Sequence, residues 1–349
     1  MPVIDFHAHI FPNPIEKALP YVPKFVPSGP AGEKLKPYLN EMTLRMGLGM
    51  VRRMARQFFQ PAAEKMHSAQ VWTRHLPPSA RHGLDSLGGV ATLPHLLVES
   101  TVEDLIDAMD EAGVDQALVI AHPPFCTNEF VLQACEQNPD RLIAVANVPK
   151  TSENPADVLR RYIDLGAKAL KIHPAADGDG VESARYRALL EVAQERGLPV
   201  ILHTGCIHNR LFFKDPSLGK AELFASWFEA YREVNFILAH MNFHEPLKAI
   251  ELCELYSNVY VDTSWQPPEV ISEAILKLGA KRVLFGTDWP FVGRNMALGK
   301  SRIEEGVQSG IYTQEQADLV LGGNALRLLS GTERKSTPAF QSSEVEEVL

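Results

Sequence analysis

In the stretch VIDFHAHIF, His7 and His9 stand two residues apart at the end of an apolar run. Side chains alternate faces along a strand, so both imidazoles point the same way, as a single metal ion requires. Taken alone, such a pair is more often a hydrogen-bonded or exposed couple than a chelate. The pattern recurs, however, after other runs of Val, Ile, Leu and Ala: His122 follows QALVIA, Asn147 follows LIAVA, Lys171 and His173 lie in KALKIHP, His203 in LPVILHTG, His240 in NFILAH, Asp262 in NVYVD and Asp288 in KRVLFGTDWP. His122 and Asn147 read as satisfied rim residues. For His7, His9, His203, His240 and Asp288 together that reading fails. Buried polar groups without partners each cost about 1–3 kcal/mol, and five donors converging on one rim have few stable arrangements without a cation. A divalent ion is the expected cofactor. Imidazole and carboxylate ligands suit zinc best, with manganese, iron or cobalt as alternatives.

The elements that must position these residues repeat along the chain. TVEDLIDAMDEAG reads as a helix with Thr101 as N-cap, Asp104 in the place of a capping-box carboxylate and a stop at Gly113. Helical and short apolar segments then alternate, and with VIDFHAH counted first they make eight strands with helices between them. Parallel strands joined by helices give an α/β fold, and eight such units match a (β/α)8 TIM barrel of roughly 250 residues. An open doubly wound sheet is the rival, but no GxGxxG turn opens the first unit. In such barrels the active site lies at the carboxyl ends of the strands, where the polar residues above fall. The expected organisation is a single catalytic domain over 1–331, with 12–100 a cap-like insertion after strand 1, extra helices after strand 8, and a disordered polar tail over 332–349.

Composition narrows the function classes. A hydrophobic fraction of 45% supports a large core. The cysteines, Cys126, Cys135, Cys206 and Cys253, are scattered with no CxxC pair, against a disulfide framework and in favour of a reducing compartment. A net charge of −9 argues against non-specific nucleic-acid binding. No apolar run has the length of a membrane span, and no charged segment followed by an apolar one opens the chain, so a soluble cytoplasmic protein is expected.

DFHAH, LKIHP, LHTG, LAH and FGTDWP together resemble the amidohydrolase superfamily, closest to the amidohydrolase-related branch that includes aminocarboxymuconate-semialdehyde decarboxylase and the resorcylate decarboxylases. The resemblance runs from strand 1 to GGNALRLL and leaves the insertion uncovered. It implies that His7, His9, His203 and Asp288 hold one catalytic metal, with His240 beside the open coordination site. A metal with an open site lowers the pKa of its bound water towards 7, and a nearby carboxylate can take that proton. In hydrolysis Asp288 and His240 are the catalytic pair. In decarboxylation His240 acts as acid and base at the carbon losing CO2.

Lys171 departs from the decarboxylase pattern. LKIH is similar to binuclear members such as urease, whose lysine is carbamylated to bridge two ions; a carbamylated Lys171 would make His240 a ligand of a second metal. The preferred reading is one ion, with a charged Lys171 that binds a substrate carboxylate or pairs with Asp262, and His173 as a substrate contact. In the locally basic insertion, Arg52, Arg53 and Arg56 are candidate carboxylate binders, or form a solvated helix face. Trp265 and Trp289 either wall the substrate or pack beneath the loops. The expected function is a metal-dependent hydrolase of a small carboxylated compound. The alternative is a non-oxidative decarboxylase of a carboxylated aromatic or muconate-like compound, and a catalytically silent binding module is the competitor from another class. A homodimer is the commonest assembly for such enzymes.

Overall fold

The computed structural model describes residues 1–13, 100–205, 213–291 and 295–331, with isolated positions between 30 and 84. The strands are β1 (Ile4–Ala8), β2 (Gln116–Ile120), β3 (Leu142–Ala146), β4 (Ala169–Ile172), β5 (Val200–His203), β6 (Phe236–Ala239), β7 (Val259–Asp262) and β8 (Val283–Leu284). They form one sheet in sequence order, and every neighbouring pair is parallel. Hydrogen bonds across the seam close it into a barrel: the amide of Phe6 donates to the carbonyl of Phe285 at 2.8 Å, that of His9 to Trp289 at 2.7 Å, and that of Asp288 to His7 at 2.7 Å. The fold is thus the (β/α)8 barrel that the alternation predicts.

The helix after Thr101 forms because its ends are capped. It spans Val102–Ala112; Thr101 and Asp104 make the reciprocal capping box, and Gly113 closes it in the left-handed conformation at φ 64°. β8 is the shortest strand, so most of KRVLFGTDWP is not strand but a loop that carries Asp288 to the rim. After it come helices Asn295–Gln308, Gln314–Asp318 and Asn324–Ser330, the last two joined by a π-helical turn at Leu319–Gly323. Among the described residues no helix is long and apolar enough to cross a membrane. Most of the insertion, the tail, Cys206 and the three arginines Arg52, Arg53 and Arg56 lie outside the described residues.

One buried cluster takes Ile4, Phe6, Leu118, Ile120, Val145, Ala169, Ile201, Ile237, Tyr260 and Leu284, so every strand contributes. It fills the barrel interior. Period-two alternation then sets the next inward position of several strands: Ile120 leads to His122, Val145 to Asn147, Ala169 to Lys171, Ile201 to His203 and Tyr260 to Asp262. The apolar plug therefore ends where the polar rim begins. A larger cluster, including Leu105, Met109, Leu189, Phe228 and Ile271, packs helices around the outside of the strands.

Candidate metal centre and active site

Two glycines let the rim close. At Gly286 an added Cβ would lie 3.1 Å from the Cβ of His7 and 3.2 Å from that of Asp262, so FGTD brings its backbone between β1 and β7 only without a side chain. At Gly205, with φ +67°, a Cβ would come within 2.2 Å of the carbonyl carbon of Asn242. The loops after β5 and β6 thus touch backbone to backbone just beyond His203 and His240.

Asp262 is the hub of the resulting network. One oxygen accepts from Nδ1 of His7 at 2.8 Å. The other accepts the backbone N–H of His240 at 2.9 Å, the backbone N–H of Ser264 at 3.0 Å and the Ser264 hydroxyl. Ser264 has a single hydroxyl proton and gives it to the carboxylate. Its oxygen, 2.8 Å from Nδ1 of His240, is then the acceptor of that ring's N–H. His240 is thereby held with its lone pair on Nε2. Deeper in the barrel, Asp5 accepts from the backbone amides of His7 at 3.0 Å and Thr287 at 3.1 Å and from the Thr287 hydroxyl.

His7, His9 and Asp288 fit a cation. Nε2 of His7 lies 3.3 Å, and Nε2 of His9 3.2 Å, from Oδ1 of Asp288. Nδ1 of His9 is 3.2 Å from the carbonyl of Ile120, which can only accept, so the proton of this ring sits on Nδ1. Burial pushes the His9 imidazole down to about 3, and the Lys171 charge adds to this, so the ring is neutral near pH 7. Its Nε2 lone pair therefore faces a carboxylate oxygen, an arrangement that repels unless a cation lies between. Among the described residues, His7, His9 and Asp288 bring one ligand atom each within 4.8 Å of one another, as do His7, His240 and Asp262.

The other candidate residues take different places. Lys171 reaches the cluster, its Nζ 3.2 Å from Nε2 of His7. His203 stacks on His173 with ring centroids 3.7 Å apart and stands 4.9 Å from the ring of His240. Burial holds both His173 and His203 well below the usual histidine range. Trp265 is at the site, its indole N–H donating to Oδ2 of Asp288 at 2.7 Å. Trp289 is 2% exposed and packs in the outer core, which is the packing alternative for that residue. Asn147 is tied to the carbonyl of Ala121 at 3.1 Å and to Asn128. His122 stands beside the pocket, its ring centroid 6.0 Å from that of His9.

Sequence reasoning overlooked Ser264, Gln266 and the aromatic rings over the site. Ser264 sits two residues beyond Asp262, and that spacing was the available signal. Phe291 meets His9 edge-on at 5.1 Å and Phe11 at 5.9 Å, while Phe213 lies 5.3 Å from His173. These rings come from separate loops, and no local pattern announces their meeting.

A TIM barrel with histidines and an aspartate gathered at its strand ends defines a class of metal-binding α/β enzymes. The chain belongs to the amidohydrolase family, whose model matches residues 4–331. It is 25% identical over 213 residues to the gamma-resorcylate decarboxylase of Rhizobium radiobacter, covering 47% of this chain and 64% of that protein. It is 23% identical over 236 residues to the 2-amino-3-carboxymuconate-6-semialdehyde decarboxylase of Dictyostelium discoideum, covering 58% and 65%. The chain thus spans just under two thirds of the length of these relatives. Among solved structures it shares its fold with a dihydroxybenzoic acid decarboxylase from Polaromonas sp. JS666 with bound manganese and the inhibitor 2-nitroresorcinol, at TM-score 0.54 and 19% identity, covering 68% of this chain and 89% of that one.

Proposed function

We propose that this chain is a metal-dependent, non-oxidative decarboxylase of a small carboxylated aromatic or muconate-like acid. The observation that carries the reading is its similarity to two curated proteins that are both decarboxylases. This favours the decarboxylase alternative over hydrolysis. Geometry supports it: an amine, Lys171, stands beside the metal-ligand cluster, and Phe11, Phe213 and Phe291 border the histidines. His7, His9, His203 and Asp288 would hold one divalent ion, manganese or zinc by the chemistry of the donors.

When bound, the ion supplies a Lewis acid that orients the substrate carboxylate. Lys171 contributes a positive charge on the same side. His240 offers Nε2 to take a proton from a substrate hydroxyl, because Ser264 occupies its Nδ1. The resulting imidazolium returns the proton to the carbon that loses CO2, so one proton replaces one CO2 and no oxidant is consumed. The burial of His7, His9, His240 and Asp288, each 6% exposed or less, keeps water from these steps.

The test is CO2 release from a panel of hydroxylated benzoic acids and carboxylated muconate semialdehydes, with the manganese-loaded protein. Stoichiometric CO2 and the decarboxylated product are expected. A hydrolysed product without CO2 would restore the hydrolase reading.

A further inference from the structure

Asp288 and Trp265 share an uncommon backbone state. Trp265 has φ 64° and Asp288 φ 58°, the left-handed region that bulky side chains rarely enter. Residues in it are strained, and such conformations persist where neighbouring structure over-determines them. Here it does. The amide of Asp288 is fixed to the carbonyl of His7 at 2.7 Å, and its own carbonyl accepts from Phe291 at 3.0 Å. Next to Trp265, the Gln266 side chain donates to the carbonyls of His240 at 2.6 Å and Phe243 at 3.0 Å, and Arg302 holds the Gln266 carbonyl at 2.7 Å.

The two strained residues meet in one contact, the indole N–H of Trp265 on Oδ2 of Asp288 at 2.7 Å. An indole N–H only donates, so it selects an accepting oxygen. Both residues are buried, at 7% and 6% exposure, and a hydrogen bond to an ionised group is stronger in such surroundings. Oδ1, meanwhile, faces His7 and His9. The carboxylate therefore presents one oxygen to the histidines and has the other tied back to the β7 loop.

We infer that Trp265 is a positioning residue for the metal ligand Asp288: its indole N–H holds the carboxylate in single-oxygen presentation. This rests on the reading that His7, His9 and Asp288 bind a divalent ion. It assigns Trp265 a role other than walling the substrate, since the aromatic face alone would not require the N–H. Ligand-orienting hydrogen bonds of this kind are commonly worth about 10- to 100-fold in metal affinity.

The experiment is calorimetric titration of metal-stripped protein with manganese chloride, comparing wild type, Trp265→Phe and His9→Ala, with folding checked by circular dichroism. Trp265→Phe keeps a ring against Phe243 and Phe291 and loses only the donor. Its affinity is expected to fall at least about 10-fold with the fold intact, and that of His9→Ala further still. Wild-type affinity in Trp265→Phe, with weakened binding in His9→Ala, would overturn the role of Trp265 alone. Wild-type affinity in His9→Ala would overturn the metal site and this inference with it. If Trp265→Phe does not fold, the wild type labelled with 15N at tryptophan decides. Zinc must shift the indole N–H resonance that Trp72→Phe, Trp227→Phe and Trp289→Phe each leave in place, and an unmoved resonance overturns the inference.

Discussion

Nζ of Lys171 lies 3.2 Å from Nε2 of His7, on the lone pair left to that imidazole after Nδ1 engages Asp262 at 2.8 Å. An ammonium and a divalent ion cannot both use one lone pair. Metal loading must therefore move Nζ away from His7, and a substrate carboxylate is the natural anion to receive it. Lys171→Met is expected to tighten manganese binding in the absence of substrate and to raise KM about 10- to 100-fold, the effect of losing a charged hydrogen bond of about 1.5–3 kcal/mol. Metal titration and steady-state kinetics on the same preparation test both signs. Two ions per wild-type chain would instead mark Lys171 as carbamylated and His240 as a ligand of the second ion.

The chain from Asp262 through Ser264 to His240 decides which nitrogen of His240 is free. Ser264→Ala removes the acceptor at Nδ1 and lets the ring exchange tautomers or turn. A fall in kcat of about 10-fold is expected, with KM and metal content unchanged, and Ser264→Thr should recover most of it. His240→Asn removes the proton carrier itself, for which a loss of about 100- to 10,000-fold is expected. Rates for the three variants, each with metal content measured, test this; an undiminished Ser264→Ala would show that the hydroxyl does not set the tautomer.

Asp5 gives the metal-free protein a pH signature. Burial raises its carboxyl from an ordinary 3.8 to about 7, against the hydrogen bonds from Thr287 and His7 that pull it down. The folded value lies above the unfolded one, so the folded state holds this proton more tightly. The stabilisation is fully present below about pH 3.8 and is lost as pH rises through about 7. Asp5→Asn cannot ionise and should lack this loss. The difference in unfolding free energy between the two proteins, measured by urea denaturation after chelation, should change by a few kcal/mol across the interval from about pH 4 to 7, since each pH unit between the unfolded and folded values is worth about 1.4 kcal/mol. A difference independent of pH would mean that Asp5 stays ionised throughout.

The barrel was legible because it is written in local patterns: apolar runs, capping residues such as Thr101 and Gly113, and the recurrence of the unit. The strand-end residues were legible for the same reason, since a polar side chain after a buried run stands out whatever it does. What the neighbouring strands do to one another was not. Asp262 appeared only as an alternative partner for Lys171, and nothing local in the sequence marks the contacts to His7, Ser264 and the backbone of His240 that make it a hub. Trp265 and Trp289 follow strands 7 and 8 in similar fashion, yet one reaches Asp288 and the other packs in the outer core. That difference arises from backbone conformation in the loops, which residue spacing does not encode. The reaction type was likewise beyond the motifs, because hydrolases and decarboxylases of this architecture share them and differ in loops.

Gln266 joins the strain around the site to its stability. His240, Met241, Asn242 and Phe243 all have positive φ, from 43° to 61°, a run that L-residues adopt only at a cost of roughly 1–2 kcal/mol each. Three kinds of contact hold it: the Gln266 amide on the carbonyls of His240 and Phe243, the Thr204 hydroxyl on the amide of Asn242 at 3.0 Å, and the Asn242 side chain on the amide of Ala221 at 3.2 Å. Gln266→Ala removes this donor from both carbonyls, that of His240 keeping the amide of Phe243 at 2.7 Å, a loss of about 0.5–1.5 kcal/mol for each hydrogen bond. The turn is then free to relax, and His240 is its first residue. Gln266→Ala is expected to melt a few degrees below wild type and to lose kcat well beyond what that destabilisation explains at about 25 °C, where the protein remains folded. Thermal melts and initial rates at one temperature separate the two effects. A variant with lowered melting temperature and undiminished kcat would show that His240 is aimed by Ser264 and Asp262 without help from the turn.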